Sequence, residues 1–202
     1  MKKSLGIVVC LVVFALGVLA MRPTPPPARV DASTFQMYHP TVYVVHLTLY
    51  PSNLVARPPS LSTMFVNRVL AAEHSPAVGT GEAFYRFSMQ YQIDDAFTLA
   101  VFGHESSFGK TGVANLTHAI GNIRCSSGYP CLYGFRWYPT WTDGIRDYYQ
   151  LLRTLYVNQW HLLTVEQVIP VASPASDHND PPGYIRDVQA TMSAWRKGEA
   201  QR

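Results

Sequence analysis

The sequence is short of charge. Only 14% of its 202 residues are Asp, Glu, Lys or Arg, and the 16 basic residues barely outnumber the 13 acidic ones. Lys2 and Lys3 account for most of the +3 excess; without residues 1–20 the balance is 14 to 13. A surface so nearly neutral carries no electrostatic footprint for nucleic acid, which is therefore not expected as a partner. Cysteine is scarce as well, at three. Cys10 sits in an apolar run too short on its N-terminal side, and flanked by valines too bulky, for a lipid-attachment site. Cys125 and Cys131 bracket Ser126-Ser127-Gly128-Tyr129-Pro130, where Gly and Pro favour a tight turn, so a local disulfide is feasible. The alternative, a metal site completed by His118, matches no zinc spacing. Neither a metal nor an organic cofactor is expected. A last absence is local: no Asp or Glu occurs between Glu105 and Asp143.

What is present falls into three stretches. Lys2-Lys3 precede an uncharged run from Leu5 to Met21, which reads as a secretory targeting segment over residues 1–21. Either a peptidase cuts after Ala20, or the run stays as a membrane anchor with the basic end inside. Both readings place the rest of the chain outside the cytoplasm, where a loop disulfide survives. Residues 22–60 hold eight of the fifteen prolines and are expected to form an extended linker, with Thr41–Tyr50 as a β-prone island. From residue 61 to 198 the composition becomes that of a helical domain. Apolar spacing predicts helices over Leu61–Glu73, capped by Ser62 or Thr63, and over Glu82–Tyr91. Further helices follow from Asp94, from Thr142-Asp143-Gly144 through Leu155, from Val165 to Ile169 behind Thr164, and from Tyr184 to Trp195 behind Asp180.

The helix that starts at Asp94-Asp95 is the most apolar of these. Ala96, Phe97, Leu99, Ala100, Val101 and Phe102 follow almost without polar interruption, so it is expected to be buried nearly all round. Glu105 is the first charge after them. A lone glutamate in a last helical turn is ordinarily a solvated surface residue. Here the carboxyl stands at the end of an apolar helix, short of hydration, which suits a general acid. Ser106 and Ser107 place hydroxyl donors beside it, and Gly109 and Gly112 let the backbone turn.

Four motifs then succeed one another. They are Glu105-Ser106-Ser107-Phe108-Gly109-Lys110-Thr111, Gly121-Asn122-Ile123, Phe135-Arg136-Trp137-Tyr138-Pro139-Thr140-Trp141, and Gly144-Ile145-Arg146-Asp147-Tyr148-Tyr149. In that order they resemble the glucosaminidase-type peptidoglycan hydrolases, glycoside hydrolase family 73, over about Leu61 to Trp195. The resemblance implies a mostly α, lysozyme-like helical domain with a small irregular lobe. It implies cleavage of β-1,4 bonds between amino sugars in cell-wall glycan, with Glu105 as the acid and Ser106, Gly121 and Asn122 among the substrate-binding residues. Tyr184 matches the tyrosine that begins the corresponding helix and lines the cleft; without the match it reads as core. Asn122 could hold a substrate acetamido group or satisfy its own loop. Trp137, Tyr138 and Trp141 could stack on sugars, or Tyr138 and Trp141 could bridge two lobes.

The missing acids bear on mechanism. Two-carboxylate glycosidases hold their acids about 5–9.5 Å apart, whereas Asp94 lies roughly 16 Å back along the same helix. Asp94 and Asp95 are therefore expected as caps, Asp143 as the N-cap or first turn of the next helix, and Asp147 as a surface charge or partner to Arg146. Without a second acid, the simplest route has the substrate's own 2-acetamido group attack the anomeric carbon while Glu105 protonates the leaving oxygen. Water, or the sugar's 6-hydroxyl, then opens the oxazolinium ion; the second outcome would make the protein a lytic transglycosylase. The expected partners are peptidoglycan glycan strands and, through residues 1–21, a membrane, with the domain a monomer. From other classes, a non-catalytic wall-binding module or a stalk component of a secretion apparatus would share parts of this pattern.

Overall fold

The computed structural model describes residues 51–200, which belong to one compact unit, His46–Arg202. The targeting segment and the Thr41–Tyr50 island lie outside the described residues. Among the described residues no helix is long and apolar enough to cross a membrane. The fold is mostly helical. In chain order it has α1 (Thr63–Ala72), α2 (Gly81–Tyr91), α3 (Asp95–Ser106), the short α4 (Ala114–Thr117), strands β1 (Cys131–Leu132) and β2 (Phe135–Arg136), α5 (Trp141–Leu151), α6 (Val165–Ala172) and α7 (Pro181–Arg196).

Helix α3 is the centre. Every residue from Asp95 to Gly103 is buried, as its unbroken apolar run demands. It packs against α7 and α2, while α2 in turn meets α1 and α5, and α6 meets α7. The core between them holds Phe84, Phe97, Phe102, Phe108, Tyr149 and Trp195, all nearly or wholly inaccessible. Each such ring contributes about 1.5–3 kcal/mol by leaving water. The caps are side-chain oxygens placed just ahead of each apolar stripe. Ser62 Oγ accepts from Phe65 N at 3.2 Å, and Asp180 Oδ1 from Gly183 N at 3.1 Å. Thr164 forms a capping box with Gln167, satisfying amides that the first turn leaves orphaned.

Several elements depart from the sequence reading. Helix α5 begins at Trp141, one residue before its expected opening, with Thr140 rather than Asp143 as its cap and Asp143 in its first turn, the second of the two places expected for it. It continues beyond Leu151 as a π-helix, Leu152–Gln159, whose wider turn re-phases the side chains. Helix α6 runs past its expected end to Ala172 with Pro170 inside it. Asp147 is neither a surface charge nor the partner of Arg146. It is 7% exposed, and Arg146 pairs instead with Asp143 at 2.9 Å.

The unit also takes in residues 51–60, assigned above to the linker. Val55 is fully buried; its N–H donates to Leu163 O at 2.8 Å, and its carbonyl accepts from Asp94 N at 2.9 Å. Asn53 Nδ2 donates to both carboxyl oxygens of Glu166, at 3.0 and 2.9 Å. Asp94 caps α3 through Ala96 N, but it does more than cap. Wholly buried, it accepts from Ser60 Oγ at 2.6 Å, pairs with Arg196 of α7 and lies 3.8 Å from Arg57 Nε. Asp95, equally buried, accepts from the amides of Ser60 and Leu61.

The irregular lobe between α4 and α5 is built on a two-stranded antiparallel hairpin, Cys131 facing Arg136. Cys125 and Cys131 are joined in a disulfide, their Cα atoms 5.7 Å apart. His118 turns its Nδ1 to Tyr138 O at 2.8 Å, and among the described residues no cluster of three His, Cys, Asp or Glu could hold a metal ion. Gly144 is required where α5 passes the lobe. A Cβ there would lie 1.8 Å from His118 O.

Candidate active site

The end of α3 is shaped by its own turn. Ser107 and Phe108 both adopt left-handed backbone conformations, which stop the helix. Ser106, 1% exposed, spends its hydroxyl on this turn: Oγ donates to Phe102 O at 3.2 Å and accepts from Gly109 N at 2.9 Å. Its position is therefore inside the turn and its polar atom faces backbone. Glu105, next to it, is half-buried, and His104 is exposed.

Two side chains from distant elements reach the Glu105 carboxyl. Tyr184, in the first turn of α7, donates its hydroxyl to Oε1 at 2.8 Å. Asn122, in the loop after α4, donates Nδ2 to Oε2 at 3.1 Å, with the Glu105 carbonyl 3.4 Å from the same nitrogen. One donor on each oxygen fixes the carboxyl plane and leaves further lone-pair directions available. Among the described residues, no carboxylate is a hydrogen-bond or ion-pair partner of Glu105. Burial, and then the neighbouring Glu105 charge, push the Tyr184 phenol well above its ordinary pKa, so it remains the donor across the working pH range. Tyr148, wholly buried beside the site, is raised likewise, first by burial, then by Tyr156 and Glu105.

Asn122 has a left-handed backbone, φ 46°, a conformation Asn tolerates better than most side chains. Its Oδ1 is buried without a hydrogen-bond partner in the protein. The amide nitrogen is the part of the side chain that holds Glu105. Gly121 is where the Tyr148 ring passes: a Cβ would stand 2.4 Å from Cε2. The glycine lets the loop close down on α5 and so brings Asn122 to the carboxyl.

Trp137 and Tyr138 stand apart from this cluster. Tyr138 is 5% exposed and donates its hydroxyl to Asp147 Oδ2 at 2.6 Å, an oxygen that also takes Arg136 Nη1 at 2.7 Å. Burial and Asp147 hold this phenol far above its usual range. Trp137 is half-buried and lines a groove of about 330 Å³ with Tyr129, Pro139, Arg146 and Gln150. Trp141 bridges α3 and the lobe, 5.3 Å from the Phe102 ring and 4.9 Å from His118.

Sequence reasoning gave no role to His104 or Tyr148. His104 stacks on the Tyr184 ring, centroids 3.6 Å apart. Its one sequence signal was that it precedes Glu105; Tyr148 was legible as a member of the last of the four motifs, with no role attached. No protein-family model matches the chain, and no curated protein matches it. The likeness to glucosaminidases rests on the motif residues themselves.

Proposed function

We propose that the domain is a lysozyme-like, extracytoplasmic cell-wall glycosidase of the endo-β-N-acetylglucosaminidase type, acting on peptidoglycan strands with Glu105 as general acid. The observation that carries this reading is the convergence of α3, the Asn122 loop and α7 on one half-buried carboxyl, each oxygen held by a neutral donor. A surface glutamate has no need of such a setting. Three of the converging residues, Glu105, Asn122 and Tyr184, are also ones that the motif resemblance singles out.

In this reading Tyr184 and Asn122 aim the carboxyl, and Glu105 delivers its proton to the bridging oxygen as the glycosidic bond breaks. The substrate's acetamido oxygen forms the new bond at the anomeric carbon, giving a cyclic oxazolinium ion. Water then adds at that carbon and returns a proton to Glu105, regenerating the acid. One carboxyl serves both halves, consistent with the lack of a carboxylate partner beside it. The Trp137 groove offers an aromatic wall suited to a more distant sugar. The test is wall lysis by the native protein and by Glu105→Gln, an isosteric change that keeps an oxygen for Tyr184. Turnover is expected to fall by at least about a hundredfold, with cosedimentation on insoluble wall retained. Equal lysis by both proteins would refute Glu105 as the acid.

A further inference from the structure

Two consecutive residues of α3 touch Tyr184, and they touch different parts of it. Glu105 Oε1 takes its hydroxyl at 2.8 Å. The His104 imidazole covers its ring, the planes 13° apart and the centroids 3.6 Å apart. Neighbouring helical residues project about 100° apart, so the last turn of α3 closes on the tyrosine as a wedge, one side on the ring's face and the other at its tip. His104 has a second contact on the same helix. Its Nδ1 is 3.9 Å from Asp187 Oδ2, and Asp187, three residues after Tyr184, shares a face of α7 with it. The imidazole covers one face of the ring, so a phenol swinging toward that face must displace it.

We propose that His104 is a positioning residue for the reacting carboxyl, acting through Tyr184. It confines the phenol to the rotamer that meets Oε1, while Asp187 steadies the imidazole against the ring. This rests on the glycosidase reading of Glu105. A ring that merely covers the first turn of α7 would lend stability without touching turnover, which gives the two roles different signatures.

The experiment uses the full chain with His104→Ala, His104→Phe, Tyr184→Phe and the double variant His104→Ala/Tyr184→Phe, assayed on purified peptidoglycan. His104→Ala is expected to lower kcat about tenfold with KM changed less than about twofold. His104→Phe, which keeps a flat ring, should stay within about threefold of native. The double variant should be no slower than Tyr184→Phe alone, because the effect travels through the phenol. Native kcat in His104→Ala, or losses that multiply in the double variant, would overturn the proposal. Three-bond NMR couplings about the Tyr184 χ1 give a readout that needs no turnover. A single rotamer in native and His104→Phe with averaging in His104→Ala upholds the positioning role, and a single rotamer in all three overturns it. A native protein that cleaves no glycan would defeat the glycosidase reading separately, leaving those couplings to decide whether His104 fixes Tyr184.

Discussion

Asp95 is a carboxyl that the fold buries at a cost, and the cost should be readable in the pH dependence of stability. It is 0% exposed; burial first, and the adjacent Asp94 charge second, push its pKa from 3.8 up to about 7, against the pull of the Ser60 and Leu61 amides. Among the described residues its Oδ2 has no hydrogen-bond partner. Between about pH 4 and 7 the folded state therefore keeps a proton that the unfolded state has released. Stability is highest at the acid end of that window and falls as pH rises, flattening above about 7. Three pKa units correspond to about 4 kcal/mol. Asp95→Asn removes the ionisation while its remaining oxygen can still accept from both amides. We expect its stability relative to native to climb by about 2–3 kcal/mol from pH 5 to pH 8, the variant already favoured at the acid end and more so at the alkaline end. Urea unfolding of both proteins across this range measures the difference directly, and ionisable groups remote from the Asp94–Asp95 pair cancel. Glu166, whose pKa is lowered by its hydrogen bonds, chiefly that from Asn53, loses its contribution only on acidification below the window. A difference that stays flat, or that shrinks as pH rises, would refute the buried-proton argument.

Two substitutions probe how the lobe is fastened to the helices. Gly121→Ala puts a methyl 2.4 Å from the Tyr148 ring, so thermal unfolding should show a loss of about 1–3 kcal/mol, and wall lysis should fall with it as Asn122 retreats from Glu105. Asp147→Asn leaves the Arg136 guanidinium, 11% exposed, without its counter-charge; a loss of about 3 kcal/mol is expected in urea unfolding.

The parts of the fold that the sequence made legible are those written in short-range pattern. The apolar run of α3 and the oxygens of Ser62, Thr164 and Asp180 ahead of apolar stripes are local signals, and the helices stand within a few residues of where those signals put them. The hairpin was not visible because strands of two residues offer no alternation to detect. Residues 51–60 were hidden differently. Their prolines read as linker, while their attachments run through backbone amides and through pairs such as Asn53 with Glu166, 113 residues apart. Asp147 failed as a surface charge because its partners, Arg136 and Tyr138, sit on a lobe whose placement no helical periodicity encodes. At the site, Glu105 could be singled out from its own neighbourhood. Tyr184, 79 residues away, came from the motif resemblance, and without it the ring is one more apolar position on α7. His104 had no pattern to mark it, since its stacking depends on where α7 crosses α3.

That crossing explains why so apolar a helix ends in a carboxyl. Helices α3 and α7 run antiparallel and are pinned by polar contacts at both ends: Asp94 to Arg196 at one, Glu105 to Tyr184 at the other. Asp94 and Glu105 are eleven residues apart on α3, and Tyr184 and Arg196 twelve apart on α7, spans of roughly 16 and 18 Å. Apolar packing alone is non-directional and tolerates a sliding helix. Two matched pins do not, because moving α7 by one residue would separate both pairs together and leave the buried Asp94 with Arg57, 3.8 Å away, in place of its ion pair to Arg196. The buried acid at the far end of α3 thus sets the register that delivers Tyr184 to Glu105. It follows that the N-terminal end of α3, although it lies about 16 Å from the candidate reacting group, belongs to the machinery that aims it.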